Sequence, residues 1–289
     1  MEPSLTRSIS PKAPSARGSI LPRHVLPGFG LSLGITTLYL SLLVLIPLAG
    51  LVWKASGGGW DEFVRVTTSE RAYSAYRVTL TSSMAAALIN GVFGTILAWV
   101  LSRYSFPGRR ILDAMVDFPL ALPTAVAGLA FTSLYVPQGW IGQYANMLGF
   151  KVAYTQLGII VVLTFISLPF VVRTVQPVIL ALEKDVEEAA ATLGASRRQI
   201  VSRIIVPSLL PAVLTGVTLG FARAVGEYGS VIFIAGNIPG KTEIAPLLVV
   251  FQLEEFNYDG AAAIAVVLLI GSFVTIGALN LVTRAVRRV

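Results

Sequence analysis

The sequence predicts an all-α integral membrane protein with six transmembrane helices. Three observations carry this. Of 289 residues, 55% are hydrophobic and only 13% charged, with a mean hydropathy of +0.76; soluble domains carry about 25% charged residues. Six runs contain no charged residue and are long enough to cross about 30 Å of hydrocarbon as a helix: 25–53, 78–102, 118–150, 152–172, 204–222 and 261–283. Helix follows because lipid offers no partner to a free backbone amide, and the alternating ten-residue strands of a barrel are missing. Finally, Lys and Arg cluster in alternate connections, as they do on the cytoplasmic side of a multi-pass protein.

Residues 1–24, "MEPSLTRSISPKAPSARGSILPRH", are rich in Ser, Pro and Arg and cannot bury a core, so they read as a basic cytoplasmic tail. A short organellar transit peptide has a similar composition. The membrane domain then occupies 25–284, with spans expected near 29–53, 78–102, 115–137, 156–175, 208–234 and 261–283 and a short tail at 285–289. The third run is longer than one helix needs, and "VPQGWIGQYANMLG" supplies the Gly, Pro and Asn that end it. Pro119, Pro123, Pro169, Pro177, Pro207 and Pro211 each remove a backbone donor, so kinks or fresh starts are expected there. Broken helices in transporters often line a cavity, which points to Pro123 and Thr124, with Ala125 and Gly128, as pathway candidates. Packing kinks are the competing account.

With the N-terminus inside, fourteen Lys and Arg fall on inner segments and six on outer ones, which places both termini and the segment 183–206 in the cytoplasm. That segment includes "EEAAATLGASRRQIVSRIIVP". Asp185 precedes Glu188 by three and Ser196 precedes Gln199 by three, two capping signals with Gly194 between them as a left-handed terminator. The expected form is helix 185–193, a turn, and a second helix from Ser196 toward the membrane. Small Ala189, Ala190 and Ala191 let another surface approach closely, whereas a lipid-lying helix would show Trp, Phe or Leu inward and Lys or Arg outward. Protein docking is therefore favoured over an idle or lipid-bound loop.

Glu188, Ala189, Ala190, Gly194, Ile204 and Pro207 match E-A-A-x-x-x-G-x9-I-x-L-P, with Val206 for the usual Leu. The segment resembles the motif of permease subunits of bacterial ABC importers. "SRYSFPGRRILDAMVDFPLALPTAVAGL", "PFVVRTVQPV", "RAVGEYGSVIFIAGNIPGKTE" and "EEFNYDGAAAIA" extend the resemblance to T-type permeases of the sulfate/thiosulfate transporters. Molybdate or tungstate permeases share "RxxGE[FY]G" and are the nearest alternative. The resemblance implies a type I ABC importer transmembrane domain in a bacterial inner membrane, cyanobacteria included. It also implies that Glu188, Ala189, Ala190, Gly194, Ala195, Ser196 and Arg197 form a coupling helix and turn docked on an ATPase. Expected partners are a W-type permease, two ATPase subunits and a periplasmic sulfate-binding protein. ATP and Mg would sit on the ATPase, with no cofactor on this chain and no nucleic acid.

Two further motifs have competing readings. "GNIPGKT" lacks the spacing of a phosphate-binding loop and lies outside, so it reads as an external turn that could help dock a binding protein. Arg223 and Glu227, four apart inside the fifth span, suggest one helix face, a structural ion pair or a field met by an oxyanion near an outer gate. Arg173 is expected to snorkel to the inner interface. The chain has no Cys, and its single His24 lies in the tail, so thiolate chemistry and a Ser/His/Asp arrangement are excluded. An ion-coupled secondary transporter is the runner-up class, but Glu227 stands nearly alone and no internal repeat is visible.

Overall fold

Long apolar stretches with no internal glycine-proline cluster give long helices, and the computed structural model describes residues 29–286 as almost wholly helical. The twelve helices are α1 (Phe29–Ala55), α2 (Gly59–Thr67), α3 (Glu70–Arg103), α4 (Arg109–Ala121), α5 (Thr124–Tyr135), α6 (Gly142–Met147), α7 (Gln156–Ala181), α8 (Lys184–Thr192), α9 (Arg197–Val225), α10 (Val231–Ile234), α11 (Ala245–Glu254) and α12 (Tyr258–Val286). Five are long and apolar enough to cross a membrane, and the bent pair α4–α5 makes up to six. The tail 1–24 and residues 287–289 lie outside the described residues. The chain divides into residues up to Leu48 and a body from Ala49 onward, and every candidate site residue belongs to the body.

Helices α3, α7 and α9 form the centre of the body. Small residues let their backbones close up, as membrane helices require when lipid removes the hydrophobic drive between them. A Cβ at Gly94 would lie 3.1 Å from Val171, and one at Gly216 would lie 2.9 Å from the Val171 Cα. Buried Asn90 adds a polar tie, donating to the Thr164 carbonyl (2.8 Å) and the Ser167 hydroxyl (2.9 Å) across α3 and α7. Arg71 clamps the almost fully buried Glu243 with two bonds of 2.8 and 2.7 Å, fixing the loop before α11 to the start of α3.

Three expectations need correction. The third span is not one helix: α4 and α5 meet at 112°. Pro123 is the cause, because its ring forces Leu122 out of helical geometry (ψ 130°) and itself takes ψ 129° before α5 starts. The fifth span's helix does not start afresh near Ser208 but continues the second helix expected from Ser196. Helix α9 starts at Arg197 and reaches Val225 through a π-helical turn at Val201–Ile205. In that turn Val206 N–H reaches back five residues to Val201, so the missing donor of Pro207 falls just past the widened turn and the helix survives. Nor does the fifth span run to 234. It stops at Gly226, and α10 is a separate single turn.

Candidate functional site

The connection 182–196 is built by local chemistry. Helix α8 begins at Lys184 with Glu183 as its cap residue and no side-chain cap, so the Asp185 capping box does not form. Only two residues separate it from α7, and the chain must turn at once; Asp185 and Glu187 instead place negative charge in the first turn, where the helix dipole favours it. The C-terminal end is as expected. Gly194 takes φ +86°, its N–H bonds to the Ala191 carbonyl (3.0 Å), and Ala195 N–H bonds to that of Ala190 (3.0 Å). This is a Schellman ending. Ser196 and Gln199 form the reciprocal capping box that starts α9.

The turn gives the segment two faces. Ala190 and Ala195 pack on the cluster of Ile179, Ile200, Ile205 and Leu209. Glu188, Ala189, Ser196 and Arg197 are exposed, and Leu193 projects with 88% of its surface free. Arg103, at the C-terminal end of α3, anchors the other side: it donates to Glu187 (2.8 Å) and to the Leu182 carbonyl (3.2 Å) and lies over Trp99. The segment is thus fastened to α3, α7 and α9 while its outer face stays open. Glu187 stood in the quoted motif, but nothing in the sequence paired it with a residue 84 positions away.

A second constellation gathers residues that the sequence left scattered. Arg173 is held by carboxylates. Its Nε and one terminal nitrogen grip Asp117 (2.8 and 2.6 Å), and its other contacts are Asp113 Oδ1 (2.7 Å), the Asp113 carbonyl (2.9 Å) and Gln176 Oε1 (2.7 Å). Two carboxylates four residues apart on α4 face one cation on α7, and every arm of the guanidinium is satisfied. The spacing of Asp113 and Asp117 was the available signal.

The expected pathway residues do meet. Arg223 and Glu227 pair at 2.6 Å, but not along a helix face, since α9 has ended by Gly226. The Glu227 carboxylate also accepts from the Ser230 amide (3.0 Å) and hydroxyl (2.9 Å), closing a turn at 226–230. Glu227 is buried while Arg223 is half-buried. The start of α5 rests on this turn: a Cβ on Gly229 would collide with the Thr124 hydroxyl, and one on Gly128 would come within 2.8 Å of the Ser230 Cα. Thr124, Pro123, Arg223 and Glu227 thereby belong to one junction between the bent third span and the broken fifth.

The model of the family described as binding-protein-dependent transport system inner membrane component matches residues 90–288. The sulfate transport system permease protein CysT of Salmonella typhimurium is 49% identical over 268 residues, 92% of this chain and 97% of that protein. The probable sulfate transport system permease protein cysT of Nephroselmis olivacea is 48% identical over 254 residues, 88% and 89% of the two chains. Among solved structures, a bacterial ABC transporter involved in the import of the acidic polysaccharide alginate shares the fold with a TM-score of 0.72 at 18% identity, over 89% of this chain and 96% of that one.

Proposed function

The chain belongs to the family of binding-protein-dependent transport system inner-membrane components, and from that premise we propose that it is the sulfate-carrying permease subunit of an ABC importer, driven through α8 by a separate ATPase. The observation that carries the coupling role is the two-faced inner segment, fastened to three spans by Arg103 and the Ala190–Ala195 contact and open on the side of Leu193. Sulfate as cargo is supported by near full-length relatives that bear that name. The chain supplies no nucleotide chemistry; ATP and Mg would be held by two ATPase subunits. A W-type second permease would complete the pathway, and a periplasmic sulfate-binding protein would deliver the anion. Both termini and α8 face the cytoplasm in this arrangement, a reading supported by the Lys and Arg distribution.

The geometry suggests how force travels. A push on α8 moves α7 directly, because only two residues intervene, and moves α9 through the capped turn. Arg173 passes the motion of α7 to α4. Pro123 then lets α5 change its angle against the 226–230 turn, where Arg223 presents positive charge to an anion. Reconstitution tests the whole reading. The assembled complex should take up sulfate only with ATP and binding protein, and molybdate should compete poorly. ATP-independent uptake by this chain alone would refute it.

Two variants separate the steps. Arg223→Gln should lower sulfate uptake several-fold while binding-protein-stimulated ATP hydrolysis persists; unchanged uptake at normal expression would remove Arg223 from the pathway. Arg103→Met should do the opposite, keeping ATP hydrolysis but reducing the sulfate moved per ATP, since α8 loses its anchor on α3. An unaltered ratio of transport to hydrolysis would show that the anchor carries no force.

A further inference from the structure

A cavity of about 400 Å³ opens on the outer side, lined by Ser74, Arg77, Val78, Thr81, Gln156, Gly240 and Lys241. Ser74, Arg77 and Thr81 recur at helical spacing and form one stripe on α3. The opposite wall is the 236–243 loop, which is rigid by its own bonds: Ile238 N–H reaches the Thr242 hydroxyl (3.1 Å), and the Thr242 and Lys241 amides return to the Ile238 carbonyl (3.0 and 3.1 Å). Thr242 and Glu243 are buried, so Lys241 is held outward between them and the turn at Gly240.

Among the described residues, three of the six cations assigned to this face are paired, while Arg77, Lys151 and Lys241 are not, and two of those three line this cavity. Lys54, Arg65 and Arg71 each hold a carboxylate. Among the described residues, the side chains of Arg77 and Lys241 have no hydrogen-bond or ion-pair partner, and no carboxylate lines the cavity. The Thr81 hydroxyl donates to the Arg77 carbonyl (2.6 Å), and the Gln156 amide donates to the Thr81 and Ser82 hydroxyls (2.9 and 3.2 Å), so both are spent within the wall, which leaves the two cations and the Ser74 hydroxyl as side-chain donors. We propose that Arg77, Lys241 and Ser74 form an outer anion site that receives a tetrahedral dianion, sulfate in the first instance, before it reaches Arg223. The site rests on the reading of the cargo as an oxyanion. At about 30 Å³ per water the cavity has room for roughly a dozen waters, so the anion stays hydrated and binding is weak and fast, as a hand-over needs.

Equilibrium binding of radiolabelled sulfate to the complete transporter in nanodiscs, without binding protein, tests this. Wild type should show a saturable site that weakens at least tenfold in Arg77→Gln/Lys241→Gln and recovers in the charge-keeping Arg77→Lys/Lys241→Arg. In uptake assays the neutral pair should raise the half-saturating concentration of loaded binding protein. Sulfate import by wild type with no saturable binding would overturn the site and leave the transport reading intact. Unchanged binding in the neutral pair, with uptake lost, would also overturn it and mark the patch as a dock for an acidic face of the binding protein. Saturable selenate or molybdate binding by a wild type that imports no sulfate would keep the site and refute the cargo.

Discussion

Replacing Gly194 by valine should abolish ATP-driven uptake without preventing membrane insertion. The reason is backbone conformation alone, because a Cβ at this position meets nothing within 4 Å. At φ +86° a side chain clashes with its own peptide, at a cost of about 1–2 kcal/mol for an ordinary residue and more for a β-branched one. That shifts the population of the turn by about tenfold or more and dissolves the two bonds that end α8. The variant should co-purify poorly with the ATPase, whereas Gly194→Asn should couple well, since Asn tolerates left-handed geometry. Uptake and co-purification are the readouts, and full transport by the valine variant would show that the turn is dispensable.

The second large effect is expected at Arg173. Arg173→Met leaves Asp113 and Asp117 on α4 facing each other with no cation between them. Bonds to a charged group contribute about 1.5–3 kcal/mol each when truncated, reduced here because all three residues are partly solvent-exposed. The expected outcome is a lower melting temperature of the purified complex and a loss of transport. Combining Arg173→Met with Asp113→Asn and Asp117→Asn removes the repulsion and should restore the melting temperature. Transport should stay low, because α4 no longer follows α7. Restoration of both would reduce the cluster to a stabilising role.

What the sequence made legible follows from what is local. Span number, the Ser196 cap and the Gly194 turn depend on residues within a few positions of each other, and the apolar runs and capping residues announce them. The 112° bend at Pro123 was signalled only as a possible kink, since a proline states where a helix breaks and tertiary packing sets the angle. A helix from Ser196 was expected, but whether Pro207 would kink it or start a fresh one was not legible; the π-turn that absorbs the proline has no sequence mark. The residues missed altogether are long-range partners. Arg103 with Glu187 and Arg173 with the α4 carboxylates join positions 56 to 84 apart, and only the packing of α3, α4 and α7 brings them together.

The absence of native cysteine makes the central claim directly measurable. Leu193→Cys places a single thiol on the most exposed large apolar residue of the 182–196 segment, where a thiol-linked photo-crosslinker can be attached in the assembled transporter with cysteine-free partners. The account predicts a crosslink to the ATPase subunit whose yield changes between nucleotide-free and ATP-trapped states. Crosslinks to lipid or to this chain alone, in every nucleotide state, would contradict it.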